Sequence, residues 1–270
     1  MYSIGPLPRQ KRTGRHVGTH QKIDRIARRH LRTLVRDDSI FPTAKEIIHF
    51  EGMRGPDGIK LKSPGVDEPV HFIDPVTLDG PLLDYISEHS HNLSRALHDG
   101  DRVRAAFEAA WLAHAVTDGL TPAHHEPYEE QLRSLRKDSE PAKKLRAKML
   151  IRGQSRRETL RNNWKYWGAH GIMTTHTLFE AGVVTASKSY DFDSACPAQA
   201  DIDAVRRDGF EATYIRLIKE VATLDMYETF KRTGWTRRLA KQTNKELLPR
   251  IIIAVTLAWY AAIPESESDR

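Results

Sequence analysis

The chain has 270 residues, 39% of them hydrophobic, so it is long enough to bury a substantial core. Its 42 lysines and arginines outnumber its 36 aspartates and glutamates, and the net charge of +6 favours anionic partners. The excess is spread through arginine-rich helices and is therefore weak evidence for nucleic acid. A single cysteine, Cys196, excludes an intrachain disulfide and a cysteine-based zinc finger.

The two ends of the chain look different from its middle. Residues 1–17 form a basic segment that we expect to be a flexible arm, and residues 264–270 form a polar tail. The arm lacks the apolar stretch of a secretory signal. The longest apolar run, 251–263, is too short to span a bilayer and predicts a buried helix instead. We therefore expect a cytoplasmic protein with no stable membrane insertion.

Helical periodicity dominates the segment between these ends. It predicts helices over 18–35, 81–98, 102–118, about 121–138 and about 156–186, then a loop over 187–199 and two or three closing helices. Gly119 ends the third helical pattern, and Thr121 with Pro122 predicts the start of the next helix. Residues 51–75 are rich in glycine and proline and predict one long irregular loop. The expected fold is all-α, with residues 18–263 in a single domain.

Histidine is unusually frequent, with 13 in the chain, and His114, Asp118 and His124 form the most informative group. His114 and Asp118 are four residues apart and share a helix face, so an imidazole and a carboxylate could hold one ion. Their apolar neighbours indicate that this face points inward. The turn at Gly119 then allows His124 to return beside Asp118.

A second pair, His176 and Glu180, has the same spacing and is also flanked by apolar residues. One such pair is more often a hydrogen-bonded core histidine or a helix ion pair. Two pairs, together with His124 and the loop histidine His71, instead predict a metal centre.

In these motifs the chain resembles the zinc-dependent phospholipase C family, which is related to the single-strand-specific zinc nucleases of fungi and plants. The resemblance covers residues 15–185 and depends on three motifs in order. These are His71-Phe72-Ile73-Asp74-Pro75, then His114-x3-Asp118-x3-Pro122-x-His124, then His176-x3-Glu180. The middle motif is the specific one. The family implies an all-helical fold around three zinc ions.

The resemblance implies a set of ligands for each ion. One ion would be held by His71, His114 and Asp118 with a loop aspartate, for which Asp57 is the candidate and Glu51 a rival. A second would be held by His124, His176 and Glu180. A third would be held by His20 together with Asp118, which would bridge two ions.

The chain departs from the family at the third ion. Family members complete that site with the amino group and carbonyl of an N-terminal tryptophan, but this sequence has no tryptophan before Trp111. The third site could be empty, or His16, four residues before His20, could complete it. We therefore expect two or three zinc ions.

The predicted function is hydrolysis of a phosphodiester or phosphomonoester by metal-activated water, with Asp57 as the catalytic base. The substrate could be a phospholipid headgroup ester, a nucleotide or single-stranded nucleic acid. One alternative is a metal-binding structural or interaction protein of the same fold without turnover. Another is an HD-type phosphohydrolase, which would place His98 and Asp99 at the metal.

Overall fold

The computed structural model describes residues 18–62, 72–127, 131–132, 134–135 and 150–264. It is mostly helical (72%), and the described residues contain no strand, which confirms the all-α prediction. The predicted basic arm and residues 265–270 of the polar tail lie outside the described residues. Within the described part, no helix combines the length and the apolar character needed to cross a membrane.

The α-helices are numbered here in chain order. They are α1 (Thr19–Leu34), α2 (Ala44–Ile48), α3 (Pro56–Lys62), α4 (Leu82–His98), α5 (Arg102–Gly119), α6 (Arg156–Trp167), α7 (Ile172–Ser187), α8 (Gln199–Ala222), α9 (Met226–Thr233), α10 (Arg237–Gln242) and α11 (Leu248–Ala262). The described part also contains two 3-10 helices, Gly52–Arg54 and Pro122–His125, one π-helical turn, Thr243–Leu247, and helical residues at 131–132 and 134–135.

Helix α11 is the centre of the core. It packs against α1, α4, α5 and α8, and most of its side chains are fully buried, as the apolar run predicted. Trp259, the largest fully buried side chain, donates from its indole nitrogen to the carbonyl of Ala109 at 2.9 Å. This bond satisfies the polar atom of a buried indole and fixes α11 against α5.

Helices α4 and α5 form an antiparallel pair joined by a short turn. Gly100 has a φ of 70°, which suits glycine, and the side chain of Asp101 accepts from the backbone N–H of Arg104 at 2.9 Å, which caps α5. Asp99 closes α4 as its C-cap. The Asp99-Gly100-Asp101 sequence is therefore a helix-to-helix turn.

The segment predicted as one long irregular loop is partly helical. Within 51–75 the chain forms the 3-10 helix Gly52–Arg54 and then α3, which begins at Pro56 with Asp57 in its first turn. Proline at the first helical position and an acidic residue beside it are helix-start signals, and they act despite the surrounding glycines. Residues 63–71 lie outside the described part.

Two predicted helices are interrupted. In the helix predicted over about 121–138, the 3-10 turn Pro122–His125 is followed by Pro127, and helical residues return at 131–132 and 134–135. Residues 128–130, 133 and 136–138 lie outside the described part. The helix predicted over 156–186 is two helices, because α6 ends at Trp167 and α7 begins at Ile172. A Cβ at Gly168 would lie 2.4 Å from the backbone oxygen of Trp164, so only glycine allows the chain to turn there.

Helix α7 is held against the rest of the fold by specific contacts. Lys22 of α1 donates to the carbonyl of Ser187 at 2.5 Å and to that of Tyr190 at 2.8 Å. On another side, the indole of Trp235 lies directly over Gly182, where a Cβ would approach it to 1.6 Å. Its indole nitrogen donates to the carbonyl of Leu178 at 3.0 Å. These contacts fix the helix that presents His176 and Glu180.

Candidate metal centre

Two histidines from different helices meet at the centre of the site. His20 lies in the first turn of α1 and His114 near the end of α5. Their rings stack with centroids 4.1 Å apart and planes within 10°, and both residues are at most 2% exposed. Parallel stacking of two buried imidazoles brings their nitrogen atoms close together, which suits shared coordination of a cation.

Glu51 joins this pair from the short connection after α2. One of its carboxylate oxygens accepts from the backbone N–H of Gly52 at 3.3 Å, which caps the 3-10 helix. The other oxygen, Oε1, is 3.5 Å from Nδ1 of His114 and has no hydrogen-bond partner. His20, Glu51 and His114 each offer a ligand atom, and these atoms lie within 4.8 Å of one another. We call them the first ligand group.

A second ligand group consists of His124, His176 and Glu180, all buried. His124 comes from the 3-10 turn after α5, and the other two lie one turn apart on α7. Oε1 of Glu180 is 3.1 Å from Nε2 of His124 and 3.2 Å from Nε2 of His176. The chain therefore brings together the residues that the resemblance implies for one ion.

Asp118 lies between the two groups. Its Oδ2 is 3.3 Å from Nε2 of His114, and its Oδ1 is 3.4 Å from Nε2 of His20. The same Oδ1 is 3.7 Å from Nε2 of His124 in the second group. With 1% of its side chain exposed, Asp118 is in position to bridge two cations.

These separations match those expected between ligands of a single ion. In a tetrahedral zinc site with bonds of about 2.0–2.1 Å, neighbouring ligand atoms are roughly 3.3–3.4 Å apart. The nitrogen–oxygen distances within the two groups and to Asp118 run from 3.1 to 3.7 Å, a range that hydrogen bonds and ion pairs share. Glu51 faces Nδ1 of His114 and Asp118 faces Nε2, so the two carboxylates lie at different nitrogens of the ring. Each of the two ligand groups could hold a cation.

The pKa of His114 indicates an excess of negative charge around the first ligand group. Burial opposes a proton on His114, but Asp118, Glu51 and Asp57 outweigh it and raise the pKa of the imidazole well above its ordinary value. In contrast, burial lowers the pKa of His124 to about 3, so this imidazole is neutral at physiological pH and its lone pair is free of a proton. A neutral imidazole is the form that binds metal.

Asp24 is a carboxylate at this site that the sequence analysis missed. It lies one turn after His20 on α1 and is 1% exposed, and its Oδ2 has no hydrogen-bond partner. Burial and the neighbouring Glu51 raise its pKa well above the ordinary value. The signal was available, because His20 and Asp24 repeat the four-residue spacing of the other two histidine–acid pairs.

Asp57 lies at the edge of the cluster. Its Oδ1 is 3.6 Å from Nε2 of His114, and its side chain is 25% exposed, whereas Glu51 belongs to the compact first group. His71 and His16 lie outside the described residues. The assignment of these residues as ligands stays a prediction.

The HD dyad of the alternative hypothesis is on the surface. Nδ1 of His98 is 3.1 Å from Oδ1 of Asp99, and their side chains are 78% and 59% exposed. The pair belongs to the turn after α4, and neither residue is part of the two ligand groups.

A cavity of about 1130 Å³ lies apart from the candidate metal centre. It is lined mainly by α4, α8 and α11, and none of the clustered histidines and carboxylates lines it. Tyr214 forms part of its wall and donates its hydroxyl proton to the carbonyl of Val116 at 3.1 Å, in the helix that also holds Asp118.

Comparison with known proteins returned no relative. No protein-family model matches the chain, and no curated protein and no solved structure matches it either.

Proposed function

We propose that this protein is a metal-dependent phosphoesterase that binds a cluster of divalent cations, zinc in the first instance, between α1, α5 and α7. The observation on which the proposal depends is the position of Asp118, whose two oxygens approach histidines of both ligand groups. A carboxylate shared in this way is typical of sites where two cations lie a few ångströms apart.

The residues fit such a cluster chemically. Imidazole nitrogens and carboxylate oxygens are the ligands that zinc accepts in catalytic sites. Buried carboxylates are costly without compensating charge, and Asp24, Glu51 and Asp118 are each at most 5% exposed. Nε2 of His20, Oε1 of Glu51 and Oδ2 of Asp24 also lack hydrogen-bond partners, so cation binding would satisfy them.

The side chains have distinct roles in this proposal. Bound zinc would lower the pKa of water and offset the charge of a phosphoryl group. His124 and His176 hold their nitrogens toward Glu180, and Asp118 fixes the spacing between the two groups. Asp57 is the only partly exposed carboxylate among those within 4 Å of a cluster histidine in the described part, so it can accept a proton from water at the rim.

The proposed substrate is a phosphodiester or phosphomonoester, with phospholipid headgroups, nucleotides and single-stranded nucleic acid as the candidate sources. The net charge of +6 favours any of these anions. A screen of phosphomonoesters and phosphodiesters with the purified protein, with and without chelator, would identify the class. We expect chelator to abolish hydrolysis and added zinc to restore it.

Asp118→Asn tests the centre directly. The amide keeps the shape of the side chain but removes the charge that balances the cations, so we expect at least a hundredfold loss of turnover, about 2.7 kcal/mol or more in the barrier. Bound metal should fall as well, because Asp118 contacts both groups. Metal content by elemental analysis, turnover and far-UV circular dichroism should be measured beside the wild type.

Asp99→Asn is the matched control, since it makes the same chemical change in the exposed HD dyad. We expect it to leave metal content and turnover unchanged. Loss of activity in Asp99→Asn but not in Asp118→Asn would contradict the proposal in favour of HD-type chemistry. Stoichiometric metal without turnover on any phosphoester would instead support a structural role for the ions.

A further inference from the structure

The outer face of α6 has an unusual composition for an exposed helix. Leu160, Trp164 and Trp167 are exposed by 73%, 74% and 38%, although large apolar side chains are normally buried. Their spacing of four and three residues places them on one side of the helix. Asn162 and Tyr166 are buried on the opposite side, so the orientation of the helix is fixed and the apolar stripe faces outward.

Basic side chains border this stripe. Helix α6 has four exposed basic residues and one acidic residue, Glu158, which is largely buried. The basic residues are Arg156, Arg157, Arg161 and Lys165. On the helical wheel, Arg156 and Arg157 lie on either side of the stripe, within about one residue's rotation of it. The exposed face thus combines an apolar centre with a cationic border.

From this arrangement we propose that the exposed face of α6 docks the protein on the surface of an anionic phospholipid bilayer. Tryptophan prefers the boundary between water and lipid, because its ring is apolar and its N–H can remain hydrated. Arginine and lysine beside it attract anionic headgroups, and an amphipathic helix with this pattern lies in the plane of the interface. The charge complementarity favours a lipid surface over an apolar partner protein.

The helix with the exposed apolar stripe is a direct neighbour of the helix that holds part of the second ligand group. Helix α6 packs against α7, which begins after four intervening residues and holds His176 and Glu180. The hydroxyl of Thr174 also donates to the carbonyl of Trp167 at 2.9 Å, which ties the end of the docking helix to the start of α7. Docking through α6 would therefore place the helix that holds His176 and Glu180 directly beside the docked helix. The docking proposal does not depend on the proposed function.

The test is co-sedimentation of the purified full-length protein with vesicles of phosphatidylcholine alone or of phosphatidylcholine mixed with phosphatidylserine. We expect binding to the mixed vesicles that weakens as salt is raised, and little binding to the neutral ones. Trp164→Ala should reduce partitioning about tenfold, because it removes a large apolar contact with the lipid. Arg157→Glu should reduce it as well, and to a greater extent at low salt.

Matched controls separate docking from general effects. Val103→Ala removes an apolar side chain that is 70% exposed on α5, and Arg238→Glu makes the same charge change on α10, so both should bind like the wild type.

Equal binding of wild type and Trp164→Ala, or no binding of the wild type, would overturn the proposal. A wild-type dimer in sedimentation velocity that dissociates in Trp164→Ala would also overturn it, because a second copy would then cover the face. Each readout is independent of turnover, so failure of docking and failure of the phosphoesterase proposal are distinguishable.

Discussion

At the scale of single residues, two carboxylates compete for the role of acidic ligand beside the stacked histidines. Glu51 is buried, with one oxygen held by Gly52 and the other directed at His114, whereas Asp57 is a quarter exposed and reaches the other nitrogen of the same ring. A ligand that is already ordered and desolvated loses less entropy when an ion binds. Glu51 is therefore the better candidate for a ligand and Asp57 for a proton acceptor.

This difference predicts opposite behaviour for two similar substitutions. Glu51→Gln should lower the bound zinc by about one ion per chain, because it removes a charged ligand from the first group. Asp57→Asn should retain the metal and lose turnover, mainly in kcat. Elemental analysis and steady-state kinetics on both variants would decide. Normal metal content in Glu51→Gln together with metal loss in Asp57→Asn would reverse the assignment.

Residue spacing in the sequence predicted many of the clustered side chains. The four-residue spacing identified His114 with Asp118 and His176 with Glu180, because helical geometry alone places such residues side by side. It could not show which loop carboxylate reaches His114, since that depends on how the chain packs after α2. Asp24 has the same spacing from His20, but the resemblance to the zinc-dependent family implies only His20 on this helix, so Asp24 was not predicted.

At the scale of secondary structure, α2 is a short helix with an important position. Its capping box joins Thr43 and Glu46, and Glu46 also pairs with Arg102 of α5 at 2.6 Å. Arg102 and Thr43 lower the pKa of Glu46 from 4.5 to about 2, although burial opposes this change. The cap fixes the N-terminal end of α2, and the helix ends three residues before Glu51.

The shifted pKa predicts how stability depends on pH. Because the folded pKa of Glu46 is depressed, its contribution is fully present above about pH 4.5 and is lost as the pH falls toward 2. Wild type should therefore be more stable than Glu46→Gln at pH 6, and the difference should shrink as the pH falls through this window. Thermal melts of both proteins without metal would measure it. Glu88→Gln, which alters an exposed glutamate of α4, is the control and should show no comparable trend.

Helix existence was easier to predict than helix ends. Long apolar periodicity identified α1, α4, α5 and α11, whose buried faces decide their formation. The break between α6 and α7 depends on a close backbone approach at Gly168. The helical periodicity of the sequence continues across this glycine, so it predicted one helix where the structure has two.

At the scale of the whole molecule, the candidate metal centre brings together side chains from parts of the chain that are far apart in sequence. The two ligand groups and Asp118 come from α1, the segment after α2, α5, the 3-10 turn after it, and α7. Without cations, the carboxylates of Asp24 and Glu51 are both buried and repel each other, and burial with this repulsion raises the pKa of Asp24. Bound ions would remove this repulsion and cross-link the helices, so metal binding should be coupled to global stability.

Removal of metal should therefore lower the melting temperature of the whole protein. Free zinc at a thousandfold excess over its dissociation constant stabilises the folded state by about 4 kcal/mol per site, which for a chain of this size corresponds to roughly 10 °C. Differential scanning calorimetry before and after chelation, and after zinc is added back, would measure the change.

Glu108→Gln is the matched control. Its carboxylate is also fully buried against a histidine, His89, but it pairs with Arg104 and lies outside both ligand groups. We expect this variant to melt lower with and without metal and to keep the full response to zinc, whereas Asp118→Asn should lose most of that response. An identical melting temperature of the wild type before and after chelation would show that the buried cluster is stable without cations, and the metal centre would have to be abandoned.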